Sequence, residues 1–291
     1  MAEYMISTDT SCDFPYEYVQ QHQLPLVTLF YSIDDVMGSD GSPTLEDLKS
    51  FYNKMRQGAP TKTQQAGIED TEKLFRTILS KGVDLLHIAF SSGLSGTANA
   101  ARLAAETLKE EFPDRKIMVV DSLCASMGQG LLVDSAIRMK EAGKSIEEVA
   151  QWLEENIPHL CHLFTVEDLK YLQRGGRISK TTALVGTMIG IKPVLHVDDE
   201  GKLVPLAKVR GRKQSLQALV DRMEQQIGSY RDIKQRIFIS HGDCEEDARY
   251  VAELVKQRFG YEDFMISFIG PTIGSHAGPG TVALFFMGEK R

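Results

Sequence analysis

Cysteine is scarce in this sequence of 291 residues, and its spacing suits neither pairing nor metal binding. There are four cysteines, Cys12, Cys124, Cys161 and Cys244. They form no C-x-x-C pair and no His/Cys cluster with the spacing of metal ligands. We therefore expect reduced thiols, no disulfide framework and no metal site.

Long hydrophobic runs are absent as well. No apolar run approaches the roughly 20 residues that a membrane-spanning helix needs. The first ten residues, MAEYMISTDT, lack the basic start and apolar core of a secretory signal. The predicted location is the cytoplasm, without integral membrane association.

An excess of positive charge is also missing, because 33 Lys plus Arg stand against 40 Asp plus Glu, for a net charge of −7. This balance argues against nucleic acid or an anionic membrane as a whole-surface partner. A P-loop, a G-x-G-x-x-G turn after a strand and an H-E-x-x-H pair do not occur, so no cofactor is predicted. A hydrophobic content of 42% indicates a globular protein with a substantial core.

The first half of the chain alternates between two kinds of segment. Four short apolar runs have the character of buried strands, at 4–8, 26–31, 83–90 and 116–121. Between and after them lie helix-period segments at 44–56, 71–81, 98–111 and 125–142. This order predicts a Rossmann-like domain with a parallel sheet covered by helices. Capping signals at Thr44 and Ser145 support two helix starts.

After about residue 160 the pattern changes. Six strand-like runs and two helix-period segments follow, and residues 198–202 form a hairpin-type turn between two of the strands. This predicts an α+β domain with a mixed or antiparallel sheet. The expected fold is therefore α/β with two domains, residues 1–160 and 161–291.

Three apolar runs of the first domain end in small polar residues, at 8–11, 91–92 and 121–122. In open α/β sheets, ligands bind outside the carboxyl ends of the strands. We expect these three strand ends to line one crevice.

The loop SSGLSGT at 91–97 stands between a strand-like run and a helix-like segment. Small residues let the backbone approach an anion, and a helix N-terminus supplies unpaired N–H donors, so an anion site is expected. Two other interpretations stay open, a nucleophilic serine and a serine that only caps the helix. The hydrolase motif G-x-S-x-G is not matched, because Thr97 stands two residues after Ser95.

The segment GPTIGSHAGPG at 270–280 surrounds His276 with four glycines and two prolines. Proline lacks a backbone donor and glycine favours unusual backbone angles, so a loop is predicted here and not a helix. His276 would either be satisfied within this loop or face a ligand. Asp13 is predicted to cap a helix.

Three further polar segments have open interpretations. TKTQQ at 61–65 is predicted to be a loop between two helices and is by itself an ordinary connector. LQRGGRI at 172–178 carries two arginines around two glycines, which suits an acidic partner surface or a phosphate, or else solvated arginines at a helix end. KVRGRK at 208–213 is a second basic cluster with the same alternatives.

Taken in order, eight segments resemble the DegV family, which includes the fatty-acid-binding (FakB-type) subunits of bacterial fatty acid kinase. The segments are STDTSCDFP (7–15), TKTQQ (61–65), SSGLSGT (91–97), VDSLCASMGQG (120–130), DLKYLQRGGRIS (168–179), IKPVL (191–195), KVRGRK (208–213) and SHAGPG (275–280). They span nearly the whole chain in family order.

The resemblance implies a lipid-binding carrier, not an enzyme, with one fatty acid between the two domains. Its carboxylate would be held by Thr63, Ser95 and His276, which match the family's TSQP loop, SSGLSGT loop and H-x-GPG loop. The first of these departs from the family, since Gln64 and Gln65 follow Thr63. Residues implied to shape the site are Ser92, Gly93, Gly96, Thr97, Gly278 and Gly280.

The implied ligand is a long-chain fatty acid of about 14 to 18 carbons, and each buried CH₂ would contribute roughly 0.8 kcal/mol to binding. The resemblance further implies presentation to a separate kinase subunit, which phosphorylates the carboxylate from ATP to an acyl phosphate for phospholipid synthesis. Arg174 and Arg177 match the arginines that contact this kinase.

Two other functions compete with the carrier. A stand-alone hydrolase or transferase would use Ser95 or His276 as nucleophile or base on an acyl or phosphorylated substrate. A regulatory or structural protein would bind a partner through its arginine clusters whether or not lipid is present. The residue types favour the carrier, because neutral donors and one histidine suit holding a carboxylate better than breaking a bond.

Overall fold

The computed structural model describes residues 3–41, 43–179 and 190–291. Ten α-helices lie within these residues: α1 (Tyr16–Gln21), α2 (Leu45–Arg56), α3 (Ile68–Leu79), α4 (Thr97–Glu111), α5 (Met127–Glu141), α6 (Ile146–Asn156), α7 (Lys170–Arg174), α8 (Arg212–Gln226), α9 (Glu245–Phe259) and α10 (Pro271–Ala277). The strands are β1 (Tyr4–Asp9), β2 (Leu26–Val27), β3 (Phe30–Ile33), β4 (Val36–Ser39), β5 (Thr61–Gln64), β6 (Asp84–Ala89), β7 (Ile117–Asp121), β8 (Leu160–Thr165), β9 (Ile191–Val197), β10 (Leu203–Arg210), β11 (Ile237–His241), β12 (Phe264–Phe268) and β13 (Val282–Met287).

The first sheet is parallel and has the order β2-β1-β6-β7. Helices α3 and α4 cover one face, where Phe75 and Leu108 join its core. Helices α5 and α6 cover the other face. The helix starts predicted at Thr44 and Ser145 are confirmed, and each is a capping box, with Asp47 and Glu148 as the respective third helical residues.

The second sheet is mixed and has the order β10-β9-β8-β13-β11-β12. Its neighbouring strands are antiparallel except β11 and β12, which are parallel. One face is covered by α8 and α9. The predicted α/β fold with a parallel sheet and a separate mixed sheet is confirmed, and the turn at 198–202 joins β9 to β10 as expected.

Helix α5 lies between the two sheets and is buried on both sides. Its core includes Leu86 of the parallel sheet, Leu132 of the helix itself and Phe285 of the mixed sheet. The helix approaches the mixed sheet closely at Gly128, where an added Cβ would lie 2.9 Å from Cδ1 of Phe285. One continuous apolar core therefore joins the two sheets and fixes the space between them.

A third sheet, antiparallel with the order β4-β3-β5, corrects two expectations. The apolar run 26–31 is not one strand, because β2 joins the parallel sheet while β3 joins this small sheet. The segment TKTQ at 61–64 is a strand, β5, where a loop was predicted. Its polar residues lack strand periodicity, and the partner that satisfies its backbone lies about thirty residues earlier in the chain.

Candidate functional site

A cavity of about 390 Å³ lies between the two larger sheets, close to the small one. It is lined by Thr63, Gln64, Gln65, Phe90, Leu94, Ser95, Gly96, Ala125, Ser126, His162, Phe164, Leu172, Arg177, Leu203, Ser240, Ile269, Thr272, Ile273, His276, Ala277, Thr281 and Ala283. Thr63, Ser95 and His276, the three residues implied to hold a carboxylate, all belong to this wall. They are brought together from β5, the loop before α4, and α10.

Ser95 is held at the start of α4. Its backbone N–H donates to the carbonyl of Ser91 at 3.1 Å, and its hydroxyl bonds the Thr97 hydroxyl at 2.9 Å. The same Oγ accepts the Thr97 backbone N–H at 3.3 Å, although the N-cap residue of α4 is Gly96 and no side chain caps the helix. The interpretation of Ser95 as the helix cap is therefore wrong, and the residue lies on the cavity wall one position before the cap.

The ends of the neighbouring strands meet beside this loop. Asp9 at the end of β1 accepts the backbone N–H of Phe90 at 2.8 Å, and Asp121 at the end of β7 accepts that of Ser92 at 3.1 Å. Ser91 donates to the carbonyl of Gly201 in the β9–β10 turn at 2.8 Å. An added Cβ on Gly93 would lie 2.5 Å from the carbonyl oxygen of Glu200. The loop is thus packed against the second domain.

The residues implied to shape the site occupy different places. Gly96 lines the cavity, where an added Cβ would overlap the Gln65 side chain, while Ser92 is exposed and Gly93 contacts the turn. Gly278 has a φ of +83°, and an added Cβ would lie 2.3 Å from the Tyr171 ring. Glycine is therefore required at position 278 by both backbone angle and space.

The glycine-rich segment before residue 278 is a helix, α10, and the prediction of a loop was wrong. Pro271 stands in its first turn, where a missing N–H costs nothing. Gly274 packs against Tyr52, whose hydroxyl donates to the carbonyl of Ile269 at 2.8 Å. Tertiary contacts from α2 therefore stabilise a helix that local propensity disfavours.

Two buried carboxyl groups hold the start of α10. Asp13 accepts the backbone N–H of Gly270 at 2.9 Å, and Asp40 accepts that of Thr272 at 3.1 Å. Asp13 has a φ of +54° and closes a short 3-10 turn, so the prediction that it caps the helix after it was wrong. Its carboxyl group faces α10 because Ser126 and Gly270 supply the donors there.

Burial raises the pKa of Asp40 from 3.8 to about 7. Between these pH values the folded protein holds a proton that the unfolded chain has released, so stability falls as pH rises through this window. We expect Asp40→Asn to reduce this slope by up to about 1.4 kcal/mol per pH unit. Urea unfolding at pH 5 and pH 7 measures how much the free energy of unfolding changes between these two pH values. Asp114→Asn, at an exposed position, is the control. If Asp40→Asn left the pH dependence of the unfolding free energy unchanged, the raised pKa of Asp40 would be contradicted.

His276, near the end of α10, bonds the Thr63 hydroxyl through Nε2 at 2.8 Å. Burial, together with the positive charges of Arg177 and Arg174, lowers the pKa of His276 to about 3. The ring is therefore neutral at physiological pH. Its Nδ1 has no hydrogen-bond partner among the described residues.

Residues 174–178 (RGGRI) cover the His276 ring. An added Cβ on Gly175 would lie 1.9 Å from Nδ1 of His276, so only glycine lets the backbone pass over the ring. Arg177 is half-buried on the cavity wall and donates through Nη2 to the carbonyl of Leu94 at 3.0 Å. Arg174 is exposed and donates to the Thr61 hydroxyl at 2.8 Å.

Sequence reasoning missed the cavity-facing position of Arg177. The resemblance assigned both arginines to a partner surface, and contact with a partner stays a prediction for each. Two glycines between two basic residues indicate a tight backbone turn. The direction of each arginine side chain, however, depends on the part of the fold against which the turn packs. Of the second basic cluster, Arg212 pairs with Asp247 at 2.7 Å and is not free for a partner.

The site combines neutral donors with the Arg177 cation on its wall. Two hydroxyls, a neutral imidazole and the Arg177 guanidinium lie around one part of the cavity, while most of the remaining wall is apolar. Such a site suits a molecule with one anionic end and a hydrocarbon body. The described residues contain no group of His, Cys, Asp and Glu that could hold a metal ion. None of the helices in the described ranges is long and apolar enough to cross a membrane.

The fold and site define a two-domain α/β binding protein with its cavity between the domains. Residues 3–289 match the sequence model of a family described as "Uncharacterised protein, DegV family". The chain belongs to the DegV family.

Three similar proteins illustrate this relationship. A DegV domain-containing protein of Clostridium perfringens is 42% identical over 100% of this chain and 99% of its own length. A protein of Thermotoga maritima named fatty acid-binding protein is 31% identical over 95% of each chain. A solved structure of a Thermus thermophilus DegV family protein, described by its fatty acid binding, is 28% identical with a TM-score of 0.85, covering 99% of this chain and 100% of its own.

Proposed function

We propose that this protein binds one long-chain fatty acid in the cavity and presents its carboxylate to a fatty acid kinase subunit. The observation that carries the proposal is the bond between Thr63 and His276 at 2.8 Å on the wall of a largely apolar cavity. The Thermotoga maritima and Thermus thermophilus relatives, described as binding fatty acid, support it.

Thr63, Ser95 and His276 would hold the carboxylate by hydrogen bonds. Each hydroxyl can donate a hydrogen bond, and an imidazole that bears its hydrogen on Nε2 would donate to the Thr63 oxygen and leave the Thr63 hydrogen for the carboxylate. The Arg177 guanidinium adds a positive charge close to the site without forming part of an ion pair in the described residues. Hydrogen bonds to a charged group of this kind contribute about 1.5–3 kcal/mol each.

The hydrolase or transferase alternative has less support in the geometry. A serine nucleophile needs a base within hydrogen-bond reach. Here the Ser95 hydroxyl bonds Thr97 and the His276 Nε2 bonds Thr63, so each of the two groups has another partner. The arrangement holds an anion more readily than it activates a serine.

Phosphorylation would take place in the complex with the kinase. The kinase subunit would transfer the γ-phosphoryl group of ATP to a carboxylate oxygen, which leaves ADP and an acyl phosphate on this protein. The exposed Arg174 stands outside the cavity beside His276 and is suited to the contact.

Mass spectrometry of the denatured, purified protein tests the binding step. We expect a fatty acid of about 14 to 18 carbons in near-equal amount to protein, since burial of its CH₂ groups at roughly 0.8 kcal/mol each gives slow release. Addition of a fatty acid kinase ATP-binding subunit and ATP should then yield acyl hydroxamate in the presence of hydroxylamine. Absence of any extracted or added fatty acid on the protein would overturn the proposal.

A further inference from the structure

The cavity wall carries a buried histidine on the mixed sheet. Along β8, side chains alternate between the faces of the sheet, and His162 and Phe164 both point to the face that lines the cavity. His162 is only 5% exposed. Its Nδ1 is a buried nitrogen without a hydrogen-bond partner among the described residues.

His162 lies away from the carboxylate-binding residues. The end of β8 at Thr165 pairs with Val282, and the preceding Thr281 donates to the carbonyl of Ala277, next to His276. His162 stands three residues back along the strand, about 10 Å at the rise of an antiparallel strand. A ligand held by His276 would therefore meet His162 with its hydrocarbon body.

The surroundings of His162 supply no internal partner for its ring. Phe285 and Phe164 are its ring neighbours, with centroids at 4.5 Å and 5.8 Å. Burial lowers the pKa of His162 well below its ordinary value, and the charges of Arg291 and His196 act in the same direction. The neutral ring therefore offers one N–H donor and one nitrogen acceptor.

A second polar spot lies on the same wall. The hydroxyls of Ser126 and Ser240 both line the cavity and bond each other at 2.9 Å, and Ser126 also donates to Asp13. Unlike His162, these groups have partners. The hydrocarbon part of the cavity is thus not uniformly apolar.

We propose that the cavity prefers an acyl chain that carries a hydroxyl group on its hydrocarbon part, with His162 as the hydrogen-bond partner of that hydroxyl. The inference rests on the proposed function. A saturated chain would leave the buried imidazole unpaired, which is costly, whereas a hydroxyl can both donate to and accept from it. A site built to bond a hydroxyl discriminates strongly against the analogue that lacks it.

Delipidated protein tests this with stearic acid and with hydroxystearic acids substituted at positions 9, 10 or 12. We expect at least one hydroxy acid to bind about tenfold more tightly than stearic acid. His162→Phe should abolish that preference because it keeps a ring but removes both nitrogens. His162→Gln, which keeps a donor and an acceptor, should retain part of it.

Phe164→Leu is the matched control, since it alters the neighbouring wall without changing hydrogen bonding. We expect it to shift the affinities for stearic and hydroxystearic acids by similar factors. Equal affinity of the unsubstituted protein for all four acids would overturn the inference, as would a preference that survives in His162→Phe. If either result is found while stearic acid still binds normally, this inference fails and the proposed function stands. If the protein binds none of the four acids, the inference and the proposed function both fail.

Discussion

We expect His276→Ala to lower the affinity for a long-chain fatty acid by about two orders of magnitude, which corresponds to the loss of one strong hydrogen bond to a carboxylate. The variant removes the ring that bonds Thr63 at 2.8 Å and leaves that hydroxyl without its partner. Because the pKa of His276 is lowered to about 3, the ring is neutral from pH 5 to pH 8. The loss should therefore be the same throughout that range. Titration of delipidated protein with a fluorescent fatty acid measures it.

His22→Ala is the control, because this histidine directly follows the last residue of α1 and does not belong to the cavity wall. We expect it to bind fatty acid with the affinity of the unsubstituted protein. A His276→Ala variant that stays folded and binds within threefold of normal would show that the carboxylate does not lie at this histidine, since a lost hydrogen bond to a charged group costs about tenfold or more.

Gly175→Ala is expected to reduce binding as much as His276→Ala does, although Gly175 offers no side chain to the ligand. Its φ of −75° suits alanine, so the backbone itself is not strained. The added Cβ would lie 1.9 Å from Nδ1 of His276 and forces the imidazole away from Thr63. Fatty acid titration measures the effect on affinity, and thermal unfolding shows whether the variant is folded.

A double-mutant cycle separates this mechanism from general damage. If Gly175 acts through the position of the imidazole, Gly175→Ala adds no further loss of affinity in the His276→Ala background. The neighbouring Gly176→Ala is the matched control, because its Cβ would meet no atom within 4 Å. Its φ of +73° costs about 1 kcal/mol of stability but leaves the ring in place. Additive losses in the double variant would contradict the mechanism.

The location of the site at the end of the β6 strand could be predicted from local patterns. The apolar run 83–90 and the helix-period segment 98–111 bracket SSGLSGT, and the structure places β6 at Asp84–Ala89 and α4 at Thr97–Glu111. In each of these two elements the apolar residues recur at the spacing of a strand or a helix within one short segment, so hydrophobic periodicity predicts the element. The convergence of the strand ends at Asp9, Phe90 and Asp121 then follows from the parallel order.

Two elements of the site could not be predicted in this way. Helix α10 contains Pro271 and Gly274, which oppose helix formation, and it is stabilised by Tyr52, Asp13 and Asp40 from distant parts of the chain. Strand β5 consists of polar residues whose pairing with β3 supplies its regularity. Long-range contacts override local propensity in both cases, and these are the elements that carry His276 and Thr63.

Periodicity and motifs are properties of short segments, so the α/β alternation, the family resemblance and the residue types suited to a carboxylate follow from the amino-acid sequence alone. Contacts between distant segments are needed to show that Thr63 bonds His276, that Gly175 covers the imidazole, and that Arg177 and His162 face the cavity. Because α5 packs between two sheets, the direction in which a side chain meets the cavity depends on elements from both domains.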